Sequence, residues 1–142
     1  MTVSAFVGGS RGAIISVTRT DSVAQAVTLL AQRRIGCVPV VEDGVVLGIF
    51  SERDVVYGLE REGATLLAKT VGEVMTTPPV TIAPDMPIIS ALSLMTRRRI
   101  RHLPIVERGR MVGFVSIGDL VKHRMDKIES EAEAMRSYIQ SA

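Results

Sequence analysis

Tryptophan is absent from the 142-residue sequence, and all aromatics together make up only 4% of it. A core must therefore be assembled from Val, Ile, Leu, Ala and Met, and the stacking platforms of single-strand nucleic-acid binders are missing. Cys37 is the lone cysteine, so no internal disulfide can form, which fits a reducing compartment. No window holds the roughly 18 consecutive apolar residues of a spanning helix. The first residues lack the basic, apolar and small-residue order of a signal peptide. The expectation is a cytoplasmic protein with no membrane attachment. Charge of either sign is nearly balanced, at +2 net, which falls short of a nucleic-acid binder but suits an anionic small ligand.

Enzymatic signatures are missing as well. There is no phosphate-binding Gly-x-x-x-x-Gly-Lys-Ser/Thr loop and no Gly-x-Gly-x-x-Gly, and Gly113–Gly118 has its first Gly one residue too far from Ser116 for a nucleophile elbow. Two histidines, His102 and His123, and one cysteine make no recognisable metal set. The reading is a non-enzyme with no required cofactor.

What is present is a repeat. Gly48-Ile49-Phe50-Ser51-Glu52-Arg53-Asp54 returns, 65 residues on, as Gly113-Phe114-Val115-Ser116-Ile117-Gly118-Asp119. The same offset lays Ile15–Val56 on Val80–Val121 without a gap, keeping Ala26/Ala91, Arg33/Arg98, Pro39/Pro104 and Gly44/Gly109 in step. A fixed period of this kind governs the whole fold.

Along each copy the order is strand, helix, strand, strand, helix. In the first copy Ile14–Val17 is a short strand. Thr20-Asp21-Ser22 caps a helix from Val23 to Arg34 with one apolar face, and Gly36 is its stop. Cys37–Val41 and Val45–Phe50 form a hairpin around Asp43-Gly44, and a helix runs from Ser51 to about Arg61. In the second copy Val80–Ile82 is the strand. A helix opens at Pro84–Pro87 and reaches about Arg99, Leu103–Val106 and Met111–Val115 pair around Arg108-Gly109, and a last helix runs from Ser116 to about Gln140. The expected organisation is an N-terminal arm (1–13), repeat 1 (14–62), a connector (63–79) containing one helical turn at Val71–Met75, repeat 2 (80–124) and a helical tail (125–142). Half of such a chain buries too little surface to stand alone. The fold class is therefore mixed α/β (α+β), with two pseudo-symmetric β-α-β-β-α repeats packed sheet to sheet and a long C-terminal helix. Ile128, Ala132, Met135 and Ile139 give that helix an apolar stripe among acidic residues, which calls for a packing partner and not a membrane.

This repeat, with its closing Gly-hydrophobic-x-Ser-x-x-Asp, resembles the cystathionine-β-synthase (CBS) domain. Two in tandem resemble a CBS pair, or Bateman module, over about Ile14–His123. The runs 99–106 and 112–122 are especially similar to small bacterial proteins made of a CBS pair alone. The resemblance implies a regulatory sensor that binds an adenosyl ligand (AMP, ADP, ATP, S-adenosylmethionine or NAD), forms a homodimer and signals occupancy to a protein partner. It puts the ribose-binding carboxylate on Asp54 and Asp119, and the adjacent hydroxyl on Ser51 and Ser116. The adenine slots fall on Ile15, Ser16, Cys37, Val38 and Pro39 in the first copy, and on Val80, Thr81, His102, Leu103 and Pro104 in the second.

Chemistry supports those assignments. A carboxylate can accept both hydroxyls of a ribose diol, and a helix start offers N–H groups to a phosphate. Arg53 adds charge to the first site. Arg101 and His102, with Ile117 and Gly118 at the helix start, distinguish the second, so the two sites should differ. Against this stands the plain alternative that Ser-x-x-Asp is a helix cap. Two other functions compete: an NAD(H)-linked redox regulator of a thioredoxin-like or dehydrogenase partner, and a nucleic-acid-associated stress protein using Arg97–His102. The absence of interleaved aromatics counts against the latter.

Overall fold

A computed structural model describes residues 1–8 and 14–141. Residues 9–13, the end of the expected N-terminal arm, lie outside the described residues.

Each repeat is built on one antiparallel hairpin. β1 (Cys37–Glu42) pairs with β2 (Val45–Ser51), and β3 (His102–Glu107) pairs with β4 (Arg110–Ser116). Both turns are two-residue turns with positive φ at both positions, 52° and 79° at Asp43-Gly44 and 53° and 76° at Arg108-Gly109. That is the twist-matched hairpin turn which Asp-Gly favours. Each ladder shifts register at the same place in the repeat, after Val40 and after Ile105.

The expected first strands shrink to single parallel bridges, Val17 to Val40 and Ile82 to Ile105. Val17 N–H donates to the Pro39 carbonyl, and Val41 N–H donates to the Val17 carbonyl. The next bond back would need an N–H from Pro39, which has none. Pro104 stops the second copy in the same way. On the other side the chain turns at once, with Thr18 N–H bound to the Asp21 carboxylate at 2.9 Å.

Helix α1 (Val23–Arg33) starts at a full capping box between Ser22 and Gln25. Its stop is not Gly36. Arg34 takes the left-handed conformation at φ 54°, and Arg99 does the same at φ 55° after α4 (Ile88–Arg98). Both arginines are exposed, so the strain leaves the side chain in water. Helix α4 begins after Pro87 and not at Pro84, because Pro84-Asp85 is spent on a turn closed by Met86 N–H on the Ala83 carbonyl. Helix α2 (Glu52–Glu62) follows β2, and α5 (Ile117–Ser141) follows β4.

The two cores are separate and equivalent by the 65-residue offset. Val17, Val23, Ala26, Leu30, Val38, Val40 and Phe50 line the first; Ile82, Ile88, Ala91, Met95, Leu103, Ile105 and Val115 line the second. What completes each core comes from the other side of the repeat boundary. The segment before repeat 1 forms a 3-10 turn (Val3–Phe6) and buries Val3 and Phe6 in the second core. The connector before repeat 2 forms a 3-10 helix (Gly63–Ala68) and α3 (Val71–Val74), and buries Leu66 and Val71 in the first core. Phe6 and Val71 are themselves 65 residues apart. Each repeat's leading segment thus packs on the other repeat.

Candidate functional site

The two repeated motifs sit where a strand passes into a helix. Ser51 ends β2 and caps α2: its hydroxyl accepts Asp54 N–H at 3.3 Å, and the Asp54 carboxylate accepts Ser51 N–H at 2.9 Å and its hydroxyl at 3.1 Å. Ser116 and Asp119 repeat this between β4 and α5, at 3.1 Å and 3.0 Å. Both stretches are therefore helix caps. They differ in their second carboxylate oxygen. Asp54 Oδ1 accepts the Thr76 hydroxyl at 2.9 Å. Among the described residues, Asp119 Oδ1 has no hydrogen-bond donor.

One further backbone bond sets each mouth. Glu52 N–H donates to the Gly36 carbonyl at 2.9 Å, and at the equivalent place Ile117 N–H donates to the Arg101 carbonyl at 2.7 Å. Gly36 leaves room for Glu52, whose Oε1 would lie 3.2 Å from an added Cβ. In the second copy the same position carries Arg101, which is exposed.

A cavity of about 420 Å³ opens beside the first motif, within the range that small-ligand sites occupy. Its wall joins both repeats and the connector. Repeat 1 supplies Gly36, Cys37, Ile49 and Ser51–Asp54; the connector supplies Thr76, Pro78 and Pro79; repeat 2 supplies Val80 and Arg99–His102. Arg53, Arg99 and Arg101 thus line one cleft together with Glu52 and Asp54. Ile49, Pro79, Val80 and Ile100 give it an apolar side.

His102 stacks on Phe114 with centroids 5.5 Å apart and planes at 18°. Burial holds its pKa below the usual histidine value; Asp119 and Glu52 pull the other way, and Arg101 adds to the depression. Burial thus favours the neutral imidazole. The Cys37 thiol is pushed up to about 12, first by burial and then by Asp54 and Glu52. It stays protonated and is a poor nucleophile. The described residues contain no group of three or more His, Cys, Asp or Glu placed to hold a metal, and no described helix is long and apolar enough to cross a membrane.

Of the residues read from the sequence for the first site, Cys37, Ser51, Arg53 and Asp54 line this cavity. Val38 is 1% exposed and belongs to the core, Pro39 is buried beside it, Ser16 is exposed away from the lining, and Ile15 is not part of that lining. Of those read for the second, Val80, Arg101 and His102 face this same cavity. Leu103 is fully buried in the second core. Thr81, Pro104, Ser116, Ile117, Gly118 and Asp119 do not line the cavity; Pro104 is buried and Thr81 exposed, as are their equivalents Pro39 and Ser16. Sequence reasoning missed Arg99, Ile100, Thr76, Pro78 and Pro79. Arg99 and Ile100 lie within Arg97–His102, weighed above only as a nucleic-acid-binding cluster. The Thr-Pro stretch reads only as punctuation.

Two half-size repeats, each packed against the segment that leads into the other, with one cleft lined from both, define a tandem-repeat module. The CBS domain family matches twice, at residues 10–61 and 71–126, and the chain belongs to that family as a tandem pair. It is 35% identical over 125 residues to the CBS domain-containing protein YhcV of Bacillus subtilis, covering 86% of each chain. It is 33% identical over 134 residues to the mitochondrial CBS domain-containing protein CBSX3 of Arabidopsis thaliana, covering 91% of this chain but 65% of that longer protein. Among solved structures, CBSX2 of Arabidopsis thaliana in complex with AMP superposes with a TM-score of 0.75 at 25% identity, over 88% of this chain and 96% of that one.

Proposed function

We propose that this chain is a non-catalytic sensor that binds an adenine nucleotide, AMP before ADP, ATP or NAD, and transmits occupancy to a protein partner. The observation that carries the reading is the composition of one cleft. A Ser-x-x-Asp helix start, an apolar wall, three arginines and the His102 imidazole meet there. Asp54 suits a ribose diol. Ile49, Ile100 and the prolines suit a purine face. Arg53, Arg99 and Arg101 suit a phosphate, as point charges or as two-pronged donors. The AMP-bound relative supports the ligand class.

A homodimer belongs to the same reading. Val56 and Val121, equivalent by the offset, are 60% and 41% exposed, and Tyr57 and Ile89 add further uncovered apolar surface. Occupancy can move such a dimer between states only by the difference in affinity for each.

The test is calorimetric titration of AMP, ADP, ATP, NAD, NADH and S-adenosylmethionine into the wild type, Arg99→Gln, Arg101→Gln and Asp54→Asn. Binding of AMP that weakens at least tenfold in the two arginine variants and in Asp54→Asn supports the reading. Absence of binding at millimolar levels sinks it. A preference for NADH over AMP points to the redox-regulator alternative.

A further inference from the structure

The C-terminal helix α5 carries an apolar seam that its own repeat does not cover. Leu120 is buried, and the His123 ring meets Phe6 at 5.4 Å, so that side of the first turns faces the second core. At about 100° per residue, Val121, Met125, Ile128, Ala132, Met135 and Ile139 fall on a stripe about a third of a turn away from it. The steps between them alternate four and three, the spacing of a coiled-coil seam. The five larger residues are between 41% and 65% exposed. From Ile128 to Ser141 every residue is exposed. A helical segment of that length gains nothing from packing and is marginal in water on its own.

The charges beside the seam say what covers it. Arg124, Glu131 and Tyr138 flank one side; Lys122, Glu129 and Arg136 flank the other. In a parallel, in-register pair, a residue of the first flank meets the residue five places further on in the opposite helix. Arg124 then meets Glu129 of a second copy, and Glu131 meets Arg136 of a second copy. Each opposite-charge pair is made twice. An antiparallel pair with the same seam sets like flanks together. Lys122 then faces Arg136, Glu129 faces Glu129, and Glu131 faces Glu131, all repulsive.

We propose that α5 pairs with α5 of a second copy as a parallel, two-stranded coiled coil, which places two copies of the repeat module side by side at the same end of the pair. The proposal deepens the homodimer reading above and does not depend on nucleotide binding.

The test uses the full chain with Ile139→Cys, and Ser137→Cys, on the opposite side of the helix, as control. A disulfide needs Cα atoms within about 7 Å. A parallel pair sets the two copies of position 139 against each other, whereas the antiparallel pair separates them by about 27 Å at 1.5 Å per residue. Mild oxidation is expected to link Ile139→Cys into covalent dimers at least tenfold faster than Ser137→Cys. Adding Met135→Glu should abolish that advantage. Adding Glu129→Lys should reduce it, and a further Arg124→Glu should restore it. A monomer in sedimentation at tens of micromolar overturns the proposal. So does failure of Ile139→Cys to link, or linking that is indifferent to Met135→Glu. Nucleotide titration of the Met135→Glu variant reads the other proposal separately: retained binding with lost cross-linking confirms that the seam, and not the cleft, was changed.

Discussion

Replacing Asp54 with alanine should cost the protein about twice what replacing Asp119 costs, although the two residues occupy equivalent places. The Asp119 carboxylate receives one backbone N–H, from Ser116 at 3.1 Å. Loss of that half of a capping box costs about 1 kcal/mol. The Asp54 carboxylate receives the equivalent N–H from Ser51 at 2.9 Å, the Ser51 hydroxyl at 3.1 Å and the Thr76 hydroxyl at 2.9 Å. Thr76 is exposed, so its bond is partly replaced by water on truncation and contributes about 0.5–1 kcal/mol. The sum is about 2 kcal/mol for Asp54→Ala against about 1 for Asp119→Ala. For a chain of this length the difference is a melting-temperature gap of about 3–4 °C. Urea unfolding followed by circular dichroism measures both variants. Thr76→Val completes the test, because it should be costly in the wild type and nearly silent in Asp54→Ala. Equal losses for the two aspartates, or full additivity of Thr76→Val on Asp54→Ala, would refute the assignment of Thr76 as the feature that distinguishes the two junctions.

Three other outcomes follow from the same geometry. A Cβ at Gly48 would lie 2.7 Å from the Thr76 carbonyl oxygen, a backbone atom held by the Ile49–Thr76 bonds; Gly48→Ala should therefore lose about 1–3 kcal/mol and speed hydrogen exchange at Ile49 and Thr76. His102 has its pKa lowered in the fold, chiefly by burial, so the unfolded chain binds the proton first. Its contribution to stability is complete above the ordinary value of 6.5 and is lost as pH falls through 6.5 toward the lower folded value. A melting-temperature series from pH 8 to 5 should slope down in that window, and less so in His102→Gln; identical slopes would contradict the burial argument. Cys37, with its thiol near 12, should resist iodoacetamide at pH 8 in the native protein and react once urea unfolds it.

Much of the fold was legible because it is written twice and because its signals are local. Asp43-Gly44 between β-branched runs places a hairpin, and Ser22 with Gln25 places a helix start, through atoms within a few residues of each other. The first strands were overread: their β-branched residues are present, but Pro39 and Pro104 on the partner strand withhold the N–H that would extend the pairing. Arg34 was passed over for Gly36 as a helix stop because glycine is the commoner left-handed residue, yet an exposed arginine tolerates the same φ. Phe6 is the clearest case of what the sequence hides. Read only as part of an N-terminal arm, it is 7% exposed in the second core, because burial depends on a partner more than a hundred residues away.

The cleft divides in the same way. Sequence alone determined that two Ser-x-x-Asp turns exist at equivalent strand-to-helix junctions, since spacing and period are properties of the chain. Only the tertiary structure decided that Arg99, Arg101 and His102 face the Ser51–Asp54 junction, that Thr76 occupies one carboxylate and spares the other, and that Leu103 and Val38 are core. The physical reason is that period relates each residue to its own copy. A site between copies is made by how the two halves pack, and in this chain each half is closed by the segment that precedes the other.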